Sequence, residues 1–308
     1  MKSYSSESRS LPVMIREAKS LFRAHTLDVA GRVRSRIEDA HQVEKDVREL
    51  LGIELKDLDM LEVGPGQFLM QMTYFSSTNR VVGIDRDVVV QGFRPLAYVS
   101  MLLSNGPIRF VKTMGRKLIG IDRQYAAQLV SQLNLKRLPR LTVHAMDVCN
   151  MSFPSESFDF VYSKSVLHSL RNPQAAVSEI ERILRPGGAA YISIQPYTSQ
   201  NGCLDPRVHT DRFQEVGLWP HLRPQLKGRI DEPNVYLNKL RLKEWEELFS
   251  SRMEGAKFIV TPGYPSAPEA ARRLQSQGEL LDYSIEELSA GMFAAVWRKP
   301  GGNKSRAS

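Results

Sequence analysis

The stretch Met60-Leu61-Glu62-Val63-Gly64-Pro65-Gly66 reads as the end of a buried strand, then an acid, then a turn built on two glycines. Residues 57–63 are predicted as the strand. Beyond the turn, Phe68, Leu69, Met70 and Met72 open a mostly apolar helical run predicted over residues 67–74. Glycine at a strand-to-helix turn lets the backbone bend tightly and lets a ligand approach the amides. Alone, the pattern also fits an ordinary tight turn, so its meaning rests on what surrounds it.

Downstream the same alternation recurs. Residues 80–84, Arg-Val-Val-Gly-Ile, form a short apolar run ending at Asp85, about twenty residues after the turn, the separation at which an acid reaches ribose hydroxyls. Residues 141–145 are a third strand leading to Asp147, and residues 158–163, Phe-Asp-Phe-Val-Tyr-Ser, a fourth. Asn172 caps the next helix and Pro173 occupies its first turn. Val177, Ile180, Ile183 and Leu184 make its apolar stripe, Leu184-Arg185-Pro186-Gly187-Gly188 stops it, and residues 190–195 are a fifth strand. Five strand–helix alternations predict an α/β fold: a doubly wound, Rossmann-like, mostly parallel sheet with helices on both faces. Ligands of such sheets bind at the carboxyl ends of the strands, which is where Glu62, Asp85 and Asp147 fall.

Three segments lie outside this alternation. Residues 1–56 read as a helical N-terminal cap, with Met14, Ala18, Leu21 and Phe22 at helical spacing and Val29, Val33, Ile37 and Ala40 repeating it. The main domain, 57–299, carries an insertion at about 86–140, longer than a βαβ crossover requires, with helices predicted over 88–103 and 123–133. A second insertion, 196–238, mixes Pro206, Pro220, Pro224 and Pro233 with aromatic and histidine side chains, and a loop of that length is more often functional than idle. Then follow a helix over 242–250, a strand over 256–261, a helix over 268–277 and a last strand over 292–298. Residues 300–308 read as a flexible tail.

Composition narrows the class. With 308 residues, 42% hydrophobic and 25% charged, the chain can bury a large core as one main domain with additions. The polar, serine-rich start lacks an apolar signal core and no later stretch approaches a membrane span, so the expected location is cytoplasmic. Cys149 and Cys203 are too few for a disulfide framework or a cysteine-ligated cluster. The net charge of +8 is concentrated: residues 107–140 hold eight basic side chains against the single acid Asp122, and residues 298–308 add four with none. Such a surface attracts an anionic substrate, nucleic acid or membrane, or only keeps the protein soluble.

A dinucleotide fingerprint fits the first turn only in part, because Leu69 stands where its third glycine is wanted. The chain more closely resembles the class I S-adenosylmethionine-dependent methyltransferases, in the branch called type 11. Glu62-Val63-Gly64-Pro65-Gly66 is similar to the first motif of that family, Gly83-Ile84-Asp85 to its second and Met146-Asp147-Val148 to its third. Phe158-Asp159-Phe160-Val161-Tyr162-Ser163 is similar to the fourth, and Leu184-Arg185-Pro186-Gly187-Gly188 to the turn before the fifth strand. The resemblance covers roughly residues 58–194, departs at Phe68 where the family has a further glycine, and implies the seven-stranded methyltransferase fold.

It also implies S-adenosyl-L-methionine as cofactor and a set of contacts. Gly64, Pro65 and Gly66 would bring backbone to the methionine moiety, and Glu62 would take its ammonium. Asp85, with Arg86 beside it, would meet the ribose; Asp147 and the amide of Val148 would meet adenine; Ser163 would face the methionine end. Methyl transfer from a sulfonium is an in-line displacement in which placing the acceptor supplies much of the catalysis. A hydroxyl acceptor also calls for a base, and His168 after the fourth strand is the candidate. Tyr197, His209, His221 and Tyr236, in the 196–238 insertion read as a substrate lid, are candidate acceptor contacts. No metal is expected, since Ser163 stands where a magnesium site would want an acid.

The expected reaction is methylation of a small molecule, with an anionic acceptor in keeping with the basic insertion, at oxygen. A nucleic-acid methyltransferase is the alternative favoured by charge. It is opposed by Ser163-Lys164-Ser165-Val166 standing where an Asn/Asp-Pro-Pro-aromatic sequence would be. A cofactor-binding protein that acts through partners without turnover is the third reading.

Overall fold

The structure, a computed structural model, describes residues 26–92, 95–209, 213–230 and 236–301. Met14, Ala18, Leu21 and Phe22 lie outside these, as does the tail beyond Gly301. Helix α1, Val29–Leu51, starts at Asp28, whose carboxylate accepts the Gly31 amide at 2.9 Å, and stops at Gly52. Strand β1 (Asp59–Val63) and helix α2 (Met70–Phe75) flank the glycine turn, and β2 (Arg80–Asp85) follows. The insertion contributes α3 (Pro95–Asn105), α4 (Pro107–Leu118) and α5 (Ile121–Gln132) before β3 (Thr142–Ala145).

Strand β4 (Phe158–Lys164) leads through a short 3₁₀ turn to α6 (Pro173–Ile183), and β5 (Leu184–Ile194) follows without a gap. The second insertion holds two 3₁₀ turns and the four-residue helix α7 (Phe213–Val216). The chain closes with α8 (Leu242–Ser250), β6 (Lys257–Pro262), α9 (Ala267–Ser276), α10 (Ile285–Ser289) and β7 (Ala290–Arg298).

The seven strands are ordered β3-β2-β1-β4-β5-β7-β6. Strands β1 to β5 run parallel, and β7 is antiparallel to both of its neighbours. This is the doubly wound, Rossmann-like, mostly parallel sheet that the alternation predicts. The order reverses between β1 and β4, and at such a switch point the loops leave the strands in opposite directions and open a crevice at their carboxyl ends.

Alternation along each strand builds two cores. Leu61, Val63, Val161 and Ile192 pack under α6 and α8, whereas Met60, Phe160, Tyr162 and Tyr191 face Ala40, Val43 and Val47 of α1 and Phe75 of α2. Helix α1 therefore covers one face of the sheet.

Besides the unpredicted short helices α7 and α10, three local readings differ from the sequence expectation. Helix α2 begins at Met70 rather than 67, because Leu69 adopts a left-handed conformation (φ +50°) and Gln67 and Phe68 remain in the turn. The 86–140 insertion holds three helices. Pro107 at a first turn starts α4, which Arg109, Lys112, Arg116 and Lys117 had hidden by giving the segment a polar look. The Pro186-Gly187-Gly188 run belongs to β5, where the register with β4 slips between Phe158 and Phe160.

Candidate active site

The glycine turn lies at the switch point. Gly64 donates its amide to the Ile84 carbonyl at 2.8 Å and has φ +71°. A Cβ there would stand 2.3 Å from Cγ2 of Val166, so the loop after β4 closes directly on the turn. Gly66, φ +68°, has nothing within 4 Å of the position a Cβ would take. One glycine serves packing and the other leaves an open cradle. Pro65 lays its ring against β2 at Gly83.

Glu62, paired in register with Gly83 on β2 and Tyr162 on β4, is 3% exposed. Its Oε2 has no hydrogen-bond partner. Burial raises its pKa to about 8, with the Arg36 guanidinium of α1 pulling the other way. A buried acid in that state is ready to receive a cation. Ser163, fully buried at the end of β4, likewise leaves its Oγ unpaired.

Asp85 ends β2 half-buried, its Oδ1 accepting the Asp87 amide at 2.9 Å, and burial raises its pKa. Asp147 follows β3 exposed to solvent and accepts the Cys149 amide at 2.9 Å, while Val148 is buried in the core beside it. Arg86 lies near enough to Cys149 to counter part of the burial that pushes that thiol up to about 11. The predicted cofactor residues thus share one rim, the carboxyl ends of β1 to β4. Their orphaned buried oxygens, open glycine and acids suit a ligand carrying an ammonium, a ribose and a base. Among the described residues, no group of three or more His, Cys, Asp or Glu is placed to hold a metal.

His168 sits in the 3₁₀ turn after β4 and is 6% exposed. The Gln195 amide donates to its Nδ1 at 3.4 Å, which leaves the ring proton on Nε2, and burial lowers its pKa to about 4. From the 196–238 insertion, the structure brings together Tyr197 and His221: their ring centres are 4.9 Å apart, and His221 Nε2 donates to the Tyr197 carbonyl at 2.7 Å. Tyr197 also lines a cavity of about 630 Å³ with Thr198, Lys239, Arg241, Glu244, Asp282 and Tyr283. Tyr236 stands apart from that wall, under the Arg171 guanidinium at 4.5 Å. His209 ends a 3₁₀ turn, and its side chain lies outside what is described.

Sequence reasoning passed over several side chains near this rim. Lys164, the last residue of β4, is paired with Asp39 of α1. A lysine ending an otherwise apolar strand was a visible signal. Arg36 was missed because α1 was read only by its apolar stripe. Phe68 stacks on Tyr125 of α5 at 3.9 Å and also carries the Arg116 guanidinium of α4 over its ring at 4.8 Å, so the basic insertion packs against the glycine turn. No local pattern links residues so far apart.

Residues 104–192 match the methyltransferase domain family of type 11. An uncharacterized chloroplastic methyltransferase of Arabidopsis thaliana is 36% identical over 122 residues, 40% of this chain. The match spans about a third (31%) of that relative's length. The [4+2]-cyclase SpnF is a distant structural likeness, 16% identical over 85% of this chain and 81% of its own, with a TM-score of 0.42. Phosphoethanolamine N-methyltransferase 2 of Haemonchus contortus, solved with S-adenosyl-L-methionine, is another, 18% identical over 84% and 52%, also at 0.42. Over residues 104–192, which include β3 to β5, the chain is thus similar to the type 11 methyltransferase domain, on a seven-stranded sheet that carries the five motifs in order.

Proposed function

We propose that this protein transfers the methyl group of S-adenosyl-L-methionine to an oxygen of a small molecule. The observation that carries the reading is Glu62, a buried carboxyl with an unpaired oxygen, directly before a turn that holds one open glycine. An uncompensated buried acid is costly unless a ligand completes it. The bound cofactor supplies a methyl already activated on a sulfonium.

The residues of the chain hold and orient. Glu62 accepts the ammonium and ionises as it does so, Asp85 accepts from the ribose, and Asp147 and the Val148 amide take the base. The acceptor lies toward the lid, in the cavity of about 630 Å³ where Tyr197 and Tyr283 offer aromatic walls and Lys239 a cation. His168, neutral and engaged at Nδ1, is a positioning residue for the β4 loop and a weak proton acceptor. An acceptor oxygen that enters ionised, its charge matched by Lys239, has already left its proton to solvent, so catalysis then rests mainly on placement.

Incubation of the purified chain with methyl-labelled cofactor and fractionated small-molecule extract tests this. Label should enter a low-molecular-weight, alkali-stable product, and Asp85→Ala should weaken cofactor binding by about tenfold or more, the loss of charge-assisted hydrogen bonds. Label found only in RNA, or a dissociation constant unchanged by Asp85→Ala, would contradict it.

A further inference from the structure

The mechanism makes no use of the outer surface of the first insertion, and that surface is unusual. Helix α3, Pro-Leu-Ala-Tyr-Val-Ser-Met-Leu-Leu-Ser-Asn, contains no charged residue. Its inner face buries Tyr98, Met101 and Asn105. Its outer face presents Leu96, Val99 and Leu103, 85%, 55% and 80% exposed, at i, i+3 and i+7. Val111 and Leu118, one stripe of the neighbouring α4, are 66% and 82% exposed. Most of the exposed large apolar side chains among the described residues lie in this one segment. Scattered exposed leucines need no explanation, but three large apolar side chains lined up on one charge-free helix, with two more on the helix packed beside it, do.

Charge selects what covers it. Beyond α3 the segment has eight basic side chains to 140, and its single acid, Asp122, is already paired with Arg116 and Lys117. Asp87, just before α3, is paired with Arg109. Lys112 and Arg123 are exposed. A second copy of the chain would bring like charges together. Single-stranded nucleic acid would want exposed aromatic rings to stack on, yet Tyr98 and Tyr125 are buried. An apolar stripe flanked by unneutralised basic residues matches an anionic lipid surface, where leucines enter the headgroup–acyl boundary and cations meet phosphates. No helix among the described residues is long and apolar enough to cross a membrane, and lying on one requires none.

We propose that α3 and α4 form a docking surface for an anionic lipid bilayer, with the Leu96–Val99–Leu103 stripe seated at the interface. Through Arg116, Phe68 and Tyr125 this surface is continuous with the wall of the glycine turn, so docking would hold the active-site rim near the bilayer. The inference is independent of whether the acceptor is itself a lipid.

Flotation of the full chain with vesicles of phosphatidylcholine alone, or of phosphatidylcholine mixed with phosphatidylglycerol, tests it. The protein should float with the mixed vesicles, float poorly with the neutral ones, and lose binding as salt rises. Leu96→Ser combined with Leu103→Ser should cut partitioning by about tenfold or more, with the melting temperature unchanged because both side chains are already in solvent. Lys112→Glu should cut it by roughly fivefold or more. Failure to float with either vesicle overturns the proposal, as does flotation that the double serine variant leaves intact. Retention on polyuridylic acid in place of vesicles, or a dimer that the double variant converts to monomer, also overturns it.

Discussion

Glu62 is a carboxyl whose burial lifts its pKa from 4.5 to about 8, and that has consequences for the free protein. As pH rises, the unfolded chain loses this proton near 4.5 while the folded one retains it to about 8. The folded state therefore loses stability across that interval and levels off above it. Urea denaturation over the same range should show this slope, and Glu62→Gln should flatten it. His168 and His221, both lowered to about 4 by burial, act at the other end: stability falls as pH drops from 6.5 toward 4, where the unfolded imidazoles bind protons that the folded ones refuse. The two turn glycines should separate cleanly. Gly64→Ala drives a methyl into Val166 at a positive φ and should cost roughly 2–4 kcal/mol in chemical denaturation. Gly66→Ala meets open space and should cost only about 1 kcal/mol for its backbone conformation, with the larger loss appearing in cofactor affinity.

At the scale of elements, α1 is joined to the rim by the Lys164–Asp39 pair, whose side chains are 17% and 34% exposed. Asp39→Asn leaves a largely desolvated ammonium without its counter-charge and should destabilise the chain by about 1–3 kcal/mol, less than a fully buried pair. Burial already lowers the pKa of Lys164, with Arg36 adding to that, so the variant should also lose stability as pH falls. The strands and α6 were legible in the sequence because their signals are local: Asn172 accepts the Ala175 amide at 3.0 Å with Pro173 behind it, as the cap pattern predicted. Asn172→Ala should cost about 1 kcal/mol. Helix α4 was not legible, because its basic side chains masked the apolar stripe of Val111 and Leu118. The placement of Arg36, Tyr125 and Arg116 around the glycine turn was not legible either, since it depends on how α1 and α5 pack together.

For the whole molecule, the sheet separates stability from chemistry. The end of β1 opposite the crevice is tied by Asp59 to Arg80 at 2.6 Å and to Arg185 at 2.9 Å, and Asp159 holds Arg185 from β4 at 2.8 Å. These partly exposed pairs hold Asp59 below its ordinary pKa and contribute modestly to stability. All the predicted cofactor residues lie at the other end, along the carboxyl ends of β1 to β4. The insertions then divide the remaining work: the first walls the turn and presents the apolar, basic face, and the second contributes Tyr197 and Thr198 to a cavity otherwise lined by residues of 239–283. In the proposed function the crevice binds S-adenosyl-L-methionine through Glu62. Calorimetric titration of the full chain with this cofactor near pH 7, in buffers of different ionisation enthalpy, tests it most directly. Because Glu62 is mostly protonated there, the account predicts saturable binding with release of close to one proton, and Glu62→Gln should bind more weakly with none released. Absence of binding, or a proton release that Glu62→Gln leaves unchanged, would contradict it.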